Sequence, residues 1–269
     1  MLAAYGTLRV GQPNWWGLLT DSKFRGTHRL PGFAMHDNMG LPVAVRERSS
    51  FIMIDLFDIE ESCLQNFDRL EGHPDFYHRE KVVVGNTDAW IYTFNDSDGP
   101  SIVHGDWTRY LEENCKIHQD RCLYFAYGSN MNRAQIKKRC PGSAFVDIGI
   151  LQDFSFQLTE RGTATVVPDD GHFVMGAILD ISLQDKACLD RKEGVANEIY
   201  YRHLAPIVNG RTGETIIASV YTATAKIAAD ICRPGYGKVI IEGAVEIGLS
   251  AEYLKILYRV LRKDMEVQL

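Results

Sequence analysis

The 269-residue chain has no run approaching the roughly 18 consecutive apolar residues that suggest a membrane span, and its N-terminus shows no basic segment followed by an apolar stretch and a cleavage site. A cytoplasmic protein without a membrane partner is therefore expected. It has no Cys-x-x-Cys pair: Cys63, Cys115, Cys122, Cys140, Cys188 and Cys232 are scattered, which reads as reduced thiols rather than a disulfide framework. It also lacks a basic surplus. The net charge is −6, so a nucleic-acid partner, which would need a basic face, is not expected. Ligand residues at metal-binding spacing are missing as well. Cys115–Cys122 holds two thiols and one imidazole at irregular spacing and reads as a polar connector, so no metal is expected.

What the chain does have is a duplication. Leu2-Ala3-Ala4-Tyr5-Gly6-Thr7-Leu8-Arg9 has a counterpart in Leu123-Tyr124-Phe125-Ala126-Tyr127-Gly128-Ser129-Asn130-Met131, with Tyr5 and Tyr127 separated by 122 residues. Leu70-Glu71-Gly72 and Lys192-Glu193-Gly194 repeat that displacement: each glutamate lies 66 residues beyond its tyrosine. An apolar strand opening into Tyr-Gly-polar, followed at one distance by Glu-Gly, thus occurs twice. The charge is divided unevenly between the copies. Residues 1–120 carry 11 Lys and Arg against 18 Asp and Glu, a balance of −7, and residues 121–269 carry 18 against 17, a balance of +1. An anionic small substrate should prefer the second half.

Alternating apolar segments separated by Gly, Pro, Asn and Asp turns predict short strands in both halves. Asp58, with Glu61 three residues on, is expected to cap a helix bearing Leu64, Phe67 and Leu70 and closed by Gly72. Ser182 with Asp185 should open the equivalent helix, which Gly194 ends. The second half adds strands at Tyr201–Val208 and Thr215–Tyr221, then helices over Gly237–Ile247 and Ala251–Arg262, the latter capped by Ser250. The expected organisation is a domain over 1–104, a partly helical connector over 105–122, in which Asp106 caps a short helix, and a larger domain over 123–269.

Glu193 and Glu71 each stand in the last turn of a predicted helix, before its closing glycine. There the helix dipole disfavours a carboxylate, which should titrate upward as a general base working near neutrality requires. A charged residue before a helix-ending glycine is common, so the repetition and not the glutamate itself points to a site. The Tyr127-Gly128-Ser129-Asn130 turn, and its counterpart Tyr5-Gly6-Thr7-Leu8, would aim backbone N–H groups at one spot and could hold a carboxylate without a lysine or arginine. Trp15-Trp16 reads as packing, His78 and His203 as surface or packing residues, and Arg133, Lys137, Lys138 and Arg139 as one solvated helix face.

Four collinear segments, Leu123–Met131, Gly162–Pro168, Leu189–Val195 with Tyr200, and Gly237–Tyr253, resemble the γ-glutamylcyclotransferase family. Residues 5–14 and Leu70-Glu71-Gly72 followed by Tyr77 resemble its sister branch, the γ-glutamylamine cyclotransferase and AIG2-like proteins, and the tandem arrangement resembles a bacterial subgroup. The resemblance implies an α+β fold of two tandem domains, each a small mixed β-barrel flanked by helices. It implies a cofactor-independent lyase that cyclises a γ-glutamyl group to 5-oxoproline and releases an amine or amino acid. Glu193 would be the general acid/base, the Tyr127–Asn130 turn would hold the glutamyl group, and Tyr200 would line the pocket. Glu71, Tyr5, Gly6, Thr7, Leu8 and Tyr77 would form the corresponding first-domain site. Asp169–His172 and Val195–Ile199 are expected to shape the leaving-group pocket. A small γ-glutamyl compound is the expected partner, and a monomer whose two domains pair as an intrachain pseudo-dimer is the expected assembly. Two other readings stay open: a binding or regulatory module that retains the pocket without catalysis, and an enzyme that removes a γ-glutamyl protecting group from a biosynthetic intermediate.

Overall fold

Glycine and asparagine turns close the hairpins, and the strands between them run further than the local alternation predicts. The computed structural model describes residues 1–114, 120–228 and 231–266, and the chain divides into two compact units, Met1–Ile117 and His118–Leu269. Most of the Cys115–Cys122 stretch lies outside the described residues. Among those described, no helix is long and apolar enough to cross a membrane.

The first unit comprises β1 (Leu2–Ala4), α1 (Trp15–Leu18), β2 (Lys23–Asn38), β3 (Leu41–Asp58), α2 (Leu64–Glu71), β4 (His78–Val84), β5 (Thr87–Thr93) and α3 (Trp107–Asn114). Its sheet order is β2-β3-β1-β5-β4, with β1 antiparallel to β3 and parallel to β5. The second unit comprises β6 (Arg121–Ala126), α4 (Arg133–Arg139), β7 (Ala144–Leu158), β8 (Ala164–Ser182), α5 (Leu183–Glu193), β9 (Tyr200–Asn209), β10 (Thr215–Ala223), α6 (Tyr236–Glu246) and α7 (Ala251–Glu266). Its strands follow the same order, β7-β8-β6-β10-β9, and close into a barrel where Gly149 and Ile150 of β7 pair with Asn209 and Val208 of β9.

A barrel was expected in each domain, and closure is complete only in the second. The seam residues are the last two of the ten-residue β9. The first-unit counterpart, β4, has seven residues and turns at Gly85, with φ 62°, before it could reach β2. Trp107 of α3, 2% exposed, joins Leu30 of β2 and Val82 and Val84 of β4 in the core of this unit. The helix predicted within the connector is thus part of the first unit's core. In the second unit Phe125, Ile178, Ala205 and Val220 are completely buried inside the barrel, each large side chain contributing about 1.5–3 kcal/mol through removal from water.

Most of the predicted caps are present. Ser182 Oγ accepts from the Asp185 amide at 3.1 Å, Ser250 Oγ from Tyr253 at 3.2 Å, and Asp106 Oδ1 from Arg109 at 3.2 Å. Gly72 and Gly194 close α2 and α5 in the left-handed conformation, at φ 62° and 68°. Asp58 is different. It ends β3 and pairs with Arg25, and the helical path begins only at the 3₁₀ turn Glu61–Cys63. Cross-strand pairing takes Asp58 before it can serve as a cap.

Candidate functional site

In the second unit, β6 ends against the turn at Tyr127–Asn130, and α5 ends beside it. Gly128 carries the chain into a 3₁₀ turn, Ser129–Met131, whose first N–H groups have no intrahelical acceptor. Gly128, Ser129, Asn130, Glu193 and Tyr200 line one cavity of about 320 Å³. Asn130 Nδ2 donates to the Tyr124 hydroxyl at 2.9 Å and to Glu193 Oε1 at 3.3 Å. The Tyr200 hydroxyl donates to the Ala164 carbonyl at 2.8 Å and lies 2.9 Å from Thr163 Oγ1, which fixes the cavity wall. Tyr127 also reaches the cavity, while its hydroxyl is anchored on the Tyr221 carbonyl at 2.5 Å.

The first unit repeats the arrangement. Tyr5, Gly6, Thr7, Leu8, Glu71 and Tyr77 all border a cavity of about 300 Å³, and the Tyr77 hydroxyl donates to the Pro42 carbonyl at 2.9 Å, as Tyr200 does to Ala164. Thr7 Oγ1 accepts from Asn14 Nδ2 at 2.9 Å, tying the turn to the following loop. Pro42 presses on the turn so closely that a Cβ at Gly6 would fall 2.3 Å from its Cγ.

A partly buried network pins the last turn of each glutamate-bearing helix. Asp190, three residues before Glu193, accepts from the Tyr221 hydroxyl at 2.7 Å and from Arg202 Nε at 3.1 Å. Asp68, three residues before Glu71, accepts from the Tyr92 hydroxyl at 2.8 Å and from Arg79 at 2.8 Å. The helix register next to each carboxylate is therefore set by the same Asp-Arg-Tyr trio.

The electrostatics differ. Burial pushes the Glu71 carboxyl up to about 7, with no opposing partner. Burial also raises Glu193, but Arg139 and the Asn130 hydrogen bond act against it. The Arg139 guanidinium lies 2.8 Å from Asn130 Oδ1 and 3.4 Å from Glu193 Oε1, whose side chain is 17% exposed. In the first unit Leu8 stands where Asn130 stands in the second, and Glu71 is the sole charged residue among the described lining residues.

Sequence reasoning missed several of these groups. The sequence places Arg139 on a solvated helix face, yet as the last residue of α4 it turns into the site, leaving Arg133, Lys137 and Lys138 on the exposed side. Tyr124, Tyr221 and Tyr236 also line the cavity, and only Tyr124 lay inside a segment the duplication drew attention to. Asp169–His172 lies within the long β8 and does not line the cavity. Of Val195–Ile199 only Ile199 does, and Arg161 and Arg233 stand there instead. His203 is buried, its Nε2 3.0 Å from Thr222 Oγ1, and Trp15 is core while Trp16 is half-exposed, its ring edge-on to Trp15. Among the described residues, no group of three or more His, Cys, Asp or Glu side chains is arranged to hold a metal ion.

Comparison with known proteins adds a second line of argument. The family described as γ-glutamyl cyclotransferase, AIG2-like, matches residues 2–109, and the AIG2-like family matches residues 173–257. The chain is 36% identical to the γ-glutamylcyclotransferase of Mus musculus over 141 residues, which is 49% of this chain and 74% of the relative. It is 31% identical to the γ-glutamylcyclotransferase of Homo sapiens over 156 residues, 54% of this chain and 82% of the relative. The crystal structure of YkqA from Bacillus subtilis, 24% identical, superposes over 97% of each chain with a TM-score of 0.79, a likeness of fold across both units.

Proposed function

The chain belongs to the AIG2-like γ-glutamylcyclotransferase family, in tandem, and from that premise we propose that it converts a γ-glutamyl compound to 5-oxoproline and a free amine at a site built around Glu193. One observation carries this reading: a half-buried carboxylate, hydrogen-bonded to Asn130, shares a cavity with the Gly128–Asn130 turn and with Tyr200.

The chemistry needs little beyond that. Free backbone N–H groups and the Ser129 hydroxyl suit the α-carboxylate of the glutamyl group. The ionised Glu193 takes a proton from the α-ammonium. The freed nitrogen attacks the γ-carbonyl carbon and gives up a second proton as the ring closes, the amide C–N bond breaks, and both protons pass in turn through Glu193 to the departing amine, which leaves as an ammonium. One C–N bond forms and one breaks, with no water consumed. Because the nucleophile belongs to the substrate, ring closure carries the advantage of proximity, and the protein's tasks are to orient the chain and relay a proton. A carboxylate raised by burial is suited to that relay.

A second site of the same design is proposed around Glu71, with Tyr5–Leu8 and Tyr77 in the equivalent roles. The test is release of 5-oxoproline from γ-glutamyl dipeptides, γ-glutamyl-ε-lysine, γ-glutamyl alkylamines and glutathione by the wild type, Glu193→Gln and Glu71→Gln. Each replacement should lower turnover at its own site by about 10²–10⁴-fold, the contribution of a general acid/base, with folding retained. Undiminished turnover in the double variant would refute the mechanism.

A further inference from the structure

The second cavity carries more positive charge than the proposed chemistry at the glutamyl end requires. Four cationic side chains line it, Arg139, Arg161, Lys192 and Arg233, and Glu193 is the sole carboxylate among the described lining residues. Arg139 is accounted for by Asn130 and Glu193. Arg161, Lys192 and Arg233 have no ion pair among the described residues.

Two of these cations are held together by the backbone. Arg161 sits in the tight turn between β7 and β8, where Gly162 has φ 67° and its amide donates to the Thr159 carbonyl at 2.8 Å. The segment leading into α6 docks on that turn. The Arg233 amide donates to the Gly162 carbonyl at 3.2 Å, and Arg233 Nε donates to the Arg161 carbonyl at 2.9 Å. A side chain at Gly162 would collide with this docking, since its Cβ would fall 2.8 Å from the Arg233 amide nitrogen. Two segments 72 residues apart thus bring two guanidinium groups to one rim of the cavity. Like charges placed together, with no carboxylate between them among the described residues, create a site for an anion.

The first unit has no such device. In its corresponding β2–β3 turn, Met39 and Gly40 precede Leu41 and Pro42 as Arg161 and Gly162 precede Thr163 and Ala164, and Met39 is almost fully exposed. Leu41, Leu70 and Phe76 line that cavity, and Leu70 stands where the second unit has Lys192.

We infer that Arg161 and Arg233 are specificity-determining residues of the second site, clamping a carboxylate on the departing amine, so that this site selects γ-glutamyl amino acids and peptides over γ-glutamyl alkylamines. The inference rests on the reading of the second cavity as a cyclotransferase site, and it concerns the part of the substrate that leaves.

The experiment compares γ-glutamylalanine with γ-glutamylethylamine, whose leaving amines differ by one carboxylate, using the full chain carrying Glu71→Gln so that the second site is read alone. The measured quantity is the ratio of the two kcat/KM values for 5-oxoproline release, with and without Arg161→Gln and Arg233→Gln together. Both arginines are exposed side chains, so the variant should fold. The ratio should favour γ-glutamylalanine, fall at least about tenfold in the variant through a raised KM, and shrink in the parent as salt is added. Turnover with an unchanged ratio would overturn the clamp and leave the proposed function standing. If neither compound turns over, the proposed function falls. Calorimetric binding of the same two compounds to the same two proteins then decides the clamp: a preference for γ-glutamylalanine that the variant loses supports it, and no preference overturns it.

Discussion

The two cavities of this chain share a plan and differ in their charge. Each has a Tyr-Gly turn after its first strand, a glutamate at the end of a helix, a tyrosine bonded to the carbonyl of the facing strand, and an Asp-Arg-Tyr trio behind the glutamate. Around this frame the second cavity has Asn130, Arg139 and the arginine pair at its rim, and the first has Leu8, Leu41 and Phe76. The comparison separates two kinds of requirement. The shared groups are those that place a carboxylate beside a Tyr-Gly turn. The differing groups are those that set the carboxylate's proton affinity and the charge of whatever else occupies the cavity.

The turns are also braced differently, and the largest expected effect tests this. In the first unit Arg9, 1% exposed, donates from Nη1 to Asp106 at 2.6 Å and from Nη2 to Asp55 at 3.2 Å, and the Val10 amide also donates to Asp55 at 2.9 Å. In the second, Met131 follows the turn and α6 packs so closely on it that a Cβ at Gly243 would fall 2.4 Å from the Asn132 nitrogen. An ion triad has replaced a helix as the buttress. Arg9→Met should destabilise the first unit by about 3–5 kcal/mol, because it removes the guanidinium that bridges two buried carboxylates. All four tryptophans, Trp15, Trp16, Trp90 and Trp107, lie in the first unit, so urea unfolding followed by tryptophan fluorescence reads that unit alone. An unchanged midpoint would show that the triad is dispensable and that the first turn is held by something else.

The next effect is on pH dependence. A glutamate must be ionised to accept the substrate's proton, so activity at each site rises as pH passes upward through its pKa. Glu71, lifted to about 7 by burial with nothing opposing, should give a rising limb near pH 7, measurable in Glu193→Gln. Glu193, whose rise is opposed by Arg139 and Asn130, should give a limb at lower pH, measurable in Glu71→Gln. Arg139→Gln should move the second limb upward, toward the first, and lower kcat about tenfold through loss of a charge-assisted contact on Asn130 and Glu193. Coincident limbs in the two single-site proteins would contradict the electrostatic difference between the cavities.

Much of this frame was legible from the duplication. Equal spacing between Tyr5 and Glu71 and between Tyr127 and Glu193 identified both turns and both glutamates, and the helix ends at Gly72 and Gly194 followed from the need for positive φ. Ser182 and Ser250 were legible as caps because capping is local. Barrel closure was not, since it depends on whether β4 or β9 runs two residues further, and strand ends are set by pairing and not by composition. Arg139 was misread for a related reason: on a short helix with four cations, the sequence does not say which one points inward. Arg161 and Arg233 lie 72 residues apart and meet only through the docking of one turn on another, so no local pattern could have joined them.

The smallest effect probes what the two units have in common. Tyr92 and Tyr221 each donate to the aspartate that stands three residues before the glutamate, and each aspartate is also held by an arginine. Replacing either tyrosine by phenylalanine removes one hydrogen bond to a charged acceptor and leaves the ion pair, which should cost about 1–2 kcal/mol locally and lower turnover a few-fold at that site alone. The local cost should appear as faster amide hydrogen exchange in the last turn of the corresponding helix, α2 for Tyr92→Phe and α5 for Tyr221→Phe. If the trio positions the glutamate, the effects are confined and equal in kind. If Tyr221→Phe loosened α5 without altering Glu193-dependent turnover, the trio would be an anchor for the fold, and the precision of the site would have to come from Asn130 and Arg139, which the first unit does not possess.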